Sequence, residues 1–147
     1  MKKEQLTKEV LDTLIGTASF GSPWLFLQFD NTQVPAIEGE MPEETAVRIL
    51  LAGGKIEFID DWAEDATDVY SDTGYWEKDA AIYPVTLEDI RAGLERVENG
   101  TWKFFDKEQK ELVESDVTEL LQGEGACFDI DEAERVCQVI MFNEIVY

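Results

Sequence analysis

Apolar residues recur along this chain at two different periods, and the switches between them divide it into elements. Val10, Leu11, Leu14 and Ile15 are spaced for one face of a helix, with Thr7 able to cap its start and Gly16 placed to stop it. Gly21-Ser22-Pro23 marks a turn, and the apolar and aromatic run Trp24 to Phe29 is expected as a buried strand. Residues 30–41, with Pro35 and Gly39, are expected as a loop. Pro42 suits a first helical position, Glu43 and Glu44 favour the positive end of the helix dipole, and Gly53-Gly54 ends that second helix.

Lys55 to Asp60 alternates as a second strand. Ala81 to Val85 is expected as a third, with Pro84 pointing to an edge or a strand end because proline cannot donate to a ladder. Thr86 caps a helix whose buried stripe is Leu87, Ile90, Leu94 and Val97, and Asn99-Gly100 stops it. A fourth helix follows Trp102, Phe104 and Phe105, from about Asp106 to Gln122, carrying Leu112, Val113, Val117, Leu120 and Leu121. The last begins near Asp129 with Glu132 as capping partner and buries Ile130, Ala133, Val136, Cys137, Ile140 and Met141. The order is helix, strand, helix, two strands, three helices. This predicts an α+β fold: one compact domain over residues 1–147, with a small sheet of about three strands packed by about five helices. No internal repeat or low-complexity tract argues against a single unit.

Charge changes what this domain is expected to do. Twelve Lys and Arg face thirty-three Asp and Glu among 147 residues, giving a net charge of −21. On a surface expected to be roughly 7,600 Å² this is about one negative charge per 360 Å². Direct binding to DNA or RNA needs basic residues that displace phosphate counterions, and the same field disfavours anionic membranes. Cationic partners, basic proteins or metal ions, are favoured. With 44% hydrophobic residues and four Trp the chain should still fold. Met1-Lys2-Lys3 is followed by charged residues rather than an apolar run, so no leader or membrane span is expected and the cytoplasm is the expected location.

The charge is concentrated. Residues 1–50 carry eight acids and four bases, whereas nine acids between Glu57 and Asp79 meet only Lys78. Trp62, Tyr70, Tyr75 and Trp76 interleave with those acids, and aromatic anchors among steering carboxylates suit a protein-binding surface. The candidate partner-binding residues are therefore Asp60, Asp61, Trp62, Glu64, Asp65, Asp68, Tyr70, Asp72 and Trp76. The competing reading is a solvated loop whose aromatics pack on the core. Were Asp60 to Asp68 helical, Asp60, Glu64 and Asp68 would share one face and repel by roughly 0.2–0.5 kcal/mol per pair, a frustration that a cation would relieve. The acids Asp129, Asp131, Glu132 and Glu134 have a simpler role at a helix N-terminus, as partners of the dipole.

Specific chemistry is mostly excluded. Asp129-x-Asp131 starts like a calcium loop, but Glu134 stands where glycine is needed and Ile140 where glutamate is needed. The glycine pairs lack the Lys and Ser/Thr of a phosphate loop, and a chain with no histidine cannot assemble a Ser-His-Asp or Cys-His site. Cys127 and Cys137 have no zinc-ligand spacing and are expected as reduced core thiols. No catalytic residue, cofactor site or metal-ligand set emerges. The alternative to an interaction protein is a carboxylate-based binder of divalent metal or a small enzyme using a carboxylate pair.

Several local patterns stand out: Gly21-Ser22-x-Trp24, Gly53-Gly54-Lys55-Ile56, Val85 to Ile90 followed by Gly93-Leu94, Asp129-x-Asp131-x-Ala133-x5-Val139, and the ending Glu144-Ile145-Val146-Tyr147. Together they resemble small acidic accessory proteins of bacteriophages and conjugative elements. The resemblance spans most of the chain but consists of caps and core positions, so it transfers no functional residue. It implies a bacterial cytoplasm and a mobile-element setting. The expected function is an acidic interaction protein whose carboxylates stand in for nucleic-acid phosphates and occupy a basic nucleic-acid-binding or defence protein.

Overall fold

A computed structural model of the chain describes residues 1–62, 82–123 and 127–147. Five α-helices and three strands make an α+β fold: α1 (Lys8–Ser19), β1 (Leu25–Gln28), α2 (Pro42–Leu51), β2 (Lys55–Asp60), β3 (Ile82–Thr86), α3 (Leu87–Asn99), α4 (Lys107–Leu121) and α5 (Ile130–Phe142). Short 3-10 turns occupy Lys3–Gln5 and Asn31–Gln33.

The sheet is antiparallel with β2 in the centre, and Pro84 lies on the edge strand β3, where its missing N–H costs the ladder nothing on the open side. β1 is the other edge, and Phe26 is exposed there, so the run from Trp24 is only half buried. Each strand is backed by a helix, α1 on β1, α2 on β2 and α3 on β3, while α5 packs against α1, α3 and α4. A single apolar cluster runs through all of these elements, with Trp24, Ile56, Phe58, Ile90 and Leu94 among its most deeply buried members.

Local chemistry accounts for most boundaries. Thr86 accepts from Asp89 N–H while the Asp89 carboxylate accepts from Thr86 N–H, a reciprocal capping box, and Gly100 ends α3 at φ +67°, where a side chain would be strained. Asp106 and Asp129 cap α4 and α5 through the N–H groups of Gln109 and Glu132. Gly16 does not stop α1: a helix interior tolerates glycine at a cost of about 1 kcal/mol, and three further residues continue the helix and bury Ala18.

The buried stripe of α4 also differs from expectation. Leu112 is 46% exposed, and the buried positions are Val113, Asp116, Val117 and Leu120. Cys137 is a core thiol, pushed up to about 12 by burial, but Cys127, just before the buried Phe128 in the α4–α5 connection, is exposed. α3 and α5 cross closely at Gly93, where an added Cβ would lie 2.7 Å from Ile140 Cγ1 and 3.1 Å from its Cα. Gly93→Ala should therefore cost about 1–3 kcal/mol, measured by denaturant unfolding, because the contact includes backbone that cannot move aside.

Candidate functional site

Strand periodicity decides where the first candidate points. Ile56, Phe58 and Asp60 alternate onto the helical side of the sheet, and Asp60 is as buried as its apolar companions. It does not face outward as a partner contact. Its Oδ2 accepts from the Tyr147 hydroxyl at 2.8 Å and its Oδ1 from Trp62 N–H at 3.0 Å. It is the last residue of β2 and so has extended backbone. Asp61 is half-buried, and its N–H donates to the Trp24 carbonyl at 2.8 Å. Trp62 keeps 51% of its surface exposed. Glu64, Asp65, Asp68, Tyr70, Asp72 and Trp76 lie outside the described residues.

The aromatic residues around Asp60 form a continuous chain. Trp62 meets Trp24 with ring centroids 6.2 Å apart and Tyr147 edge-on at 5.4 Å, while Trp24 and Tyr147 are 4.9 Å apart. Tyr147 reaches Phe142 at 6.4 Å, and Phe142 meets Tyr83 edge-on at 5.1 Å. These are the separations and tilts that aromatic quadrupoles favour. Because Ile59 faces Ile82 across the β2–β3 ladder, the chain leaves β2 and enters β3 at the same end of the sheet. Trp62, just past β2, and Tyr83, in β3, are thus joined through Tyr147 and Phe142 into an aromatic clasp.

α5 sets the far side of the clasp. Asn143 ends the helix in the left-handed region at φ 60°, which asparagine adopts more readily than most residues, and this turns the chain back along the helix. The buried Gln138 then accepts from the N–H groups of both Val146 and Tyr147 at 2.8 Å. On the other flank, Trp24 Nε1 donates to Glu134 at 3.0 Å. Burial and the hydrogen bond to Asp60 both raise the Tyr147 hydroxyl above its ordinary pKa, so it stays protonated as a donor. Tyr147→Phe should cost about 1–3 kcal/mol in denaturant unfolding, since it leaves a buried carboxylate oxygen without its donor.

Positive charge is largely engaged within the molecule. Among the described residues, Lys8 pairs with Asp12, Lys110 with Glu114, and Arg91 with both Glu88 and Glu95. Arg48 grips Glu40 through two nitrogens at 2.8 and 2.9 Å, which with Thr45 holds that carboxyl below its usual range. Most of these pairs are too exposed to add much stability, and each joins a base to an acid without changing the net charge.

A second carboxylate group lies between α4 and α5. Arg135 binds Asp116 in a two-pronged pair at 2.7 and 3.0 Å. Burial nonetheless raises the Asp116 carboxyl, because desolvation outweighs the attraction of the guanidinium. Glu132 does not serve as a simple dipole partner: its backbone N–H takes the Asp129 cap, while its carboxyl turns toward Glu119. Among the described residues no three carboxylate or thiol groups converge to hold a metal ion. No described helix is long and apolar enough to cross a membrane.

Comparison with protein-family models, with curated proteins and with solved structures finds no match. The functional reading therefore rests on the geometry and charge of this chain.

Proposed function

We propose that this chain is an acidic interaction protein of the bacterial cytoplasm, in a mobile-element setting. Its carboxylates stand in for nucleic-acid phosphates and occupy a basic nucleic-acid-binding protein, such as a restriction or defence factor. The aromatic clasp is the observation that carries this reading. It ties together Trp62 and Tyr83, at the end of the sheet where the chain leaves β2 and enters β3, and the stretch 57–79 that begins within β2 holds a net charge of −8. A strongly charged segment attached at both ends to a rigid sheet loses less conformational freedom on binding than a free tail of the same composition.

Physical chemistry supplies the rest. A field of one sign raises the rate of encounter with a partner of the opposite sign, and the exposed part of Trp62 offers an aromatic anchor beside that field. Arg48, Arg91 and Arg135 are each held by carboxylates of this chain, and the net charge of −21 remains on the acids outside such pairs. The same surface repels DNA, so the chain competes with nucleic acid for a partner rather than binding it.

Competition against DNA tests the reading. With a restriction endonuclease and a histone-like basic protein as probes, the chain should displace labelled duplex from at least one of them at low salt. That displacement should weaken on the order of tenfold or more between 50 and 200 mM salt, as screening shortens the reach of the field. Absence of competition at low salt, or binding indifferent to salt, would overturn it.

A further inference from the structure

α4 and α5 face each other through two rungs of charged side chains. Asp116 meets Arg135 on one rung, and Glu119 meets Glu132 on the next. Each step of three residues forward on α4 corresponds to three backward on α5, the register of an antiparallel hairpin. The first rung joins opposite charges. The second joins like charges, and Oε2 of Glu119 and Oε2 of Glu132 are both shut off from water with no hydrogen-bond donor. Two ionised carboxylates in that position would be costly, since neither oxygen reaches water or an N–H group.

We propose that Glu119 and Glu132 share one proton, and that this carboxyl–carboxylate bond is a pH-sensitive latch between α4 and α5. With the proton present, one O–H donates to the opposite carboxylate, satisfying both buried oxygens with a short charge-assisted bond. With it absent, two negative groups face each other and the rung opens.

The surrounding charges act in the same direction. Burial contributes most to holding the Glu132 proton, followed by Glu119 itself, then Asp129 at the start of α5 and Asp116 one turn along α4. Arg135 is the nearby cation, but both of its hydrogen bonds to a carboxylate go to Asp116. On the other helices packed here, Lys8 pairs with Asp12 on α1, and on α3 Arg91 pairs with Glu88 and Glu95, while Arg96 donates from one terminal nitrogen to the Val139 carbonyl of α5 and keeps a buried Nε without a partner. Together these raise the Glu132 carboxyl to about 7.

The sign of the effect follows. Between the ordinary glutamate value and about 7 the folded chain holds a proton that the unfolded chain releases, so the latch loses its contribution as pH rises through that window. Wild-type chain, E119Q and E132Q would be compared by carboxyl-carbon NMR titration from pH 4 to 9 and by amide exchange at pH 6 and 8, corrected for the intrinsic pH dependence of exchange. One glutamate should titrate near pH 7 in the wild type and in neither variant. Exchange in α4 and α5 should rise several-fold from pH 6 to 8 in the wild type and stay level in both variants, where an amide replaces the shared proton. The wild-type titration decides even should a variant fail to fold. Glutamates that all titrate below pH 5.5, or variants that keep the wild-type pH dependence, would overturn the latch.

Discussion

Trp24→Ala should destabilise the chain by about 3–5 kcal/mol, the range for emptying a large aromatic site in a packed core. For a domain of this length that corresponds to a fall in melting temperature of about 10–20 °C. Trp24 is completely buried, and its loss removes more than volume. Its ring lies 4.9 Å from Tyr147 and 6.2 Å from Trp62, and its Nε1 is bound by Glu134. Removing the indole leaves the Glu134 carboxylate without that donor and takes away the ring against which both Trp62 and Tyr147 of the clasp pack. Trp24→Phe should recover most of the packing and lose only the hydrogen bond, so it should melt well above the alanine variant. Thermal unfolding followed by near-ultraviolet circular dichroism would measure both. Equal losses in the two variants would show that packing at this position is not what holds the clasp.

Asp116→Ala should cost about 3 kcal/mol, because it strands the Arg135 guanidinium beside a buried face from which its paired carboxylate has gone. The estimate sits at the low end for a buried pair since about a quarter of the Arg135 side chain remains open to water. Replacing both partners with apolar residues of similar size, Asp116→Leu with Arg135→Met, should recover most of that loss, because neither charge then needs solvation in the interior. Denaturant unfolding of the two single variants and the double variant closes the cycle. A double variant as unstable as Asp116→Ala would mean that the pair contributes more than mutual neutralisation.

These two sites differ in how far the sequence discloses them. Caps and stops are local chemistry, so Thr86 with Asp89, Asn99-Gly100, Pro42 and the edge proline Pro84 are visible without a structure. Asp116 was visible in principle, because it falls between Val113 and Val117 on the apolar stripe of α4, and an acid there signals a buried partner. Asp60 continues the alternation of Ile56 and Phe58 in the same way. Their partners are not legible, because Tyr147 lies 87 residues from Asp60 and Arg135 is one of twelve basic residues. Glu132 shows the opposite failure. Its place in the first turn of α5 satisfies a local rule, while its contact with α4 gives it a different role.

The central claim is that the segment 57–79, and not net charge alone, engages the partner. Changing Glu64, Asp65, Asp68, Asp72 and Glu77 to Gln or Asn removes five of those negative charges, and changing Glu43, Glu44, Glu98, Glu108 and Glu111 to Gln removes the same number elsewhere. The decisive measurement is the concentration of each variant needed to displace duplex DNA from the basic probe that the wild-type chain competes for at low salt. The first variant should need on the order of tenfold more protein than wild type, and the second should stay close to it. Equal weakening of both variants, or no weakening of the first, would contradict the assignment of function to this segment.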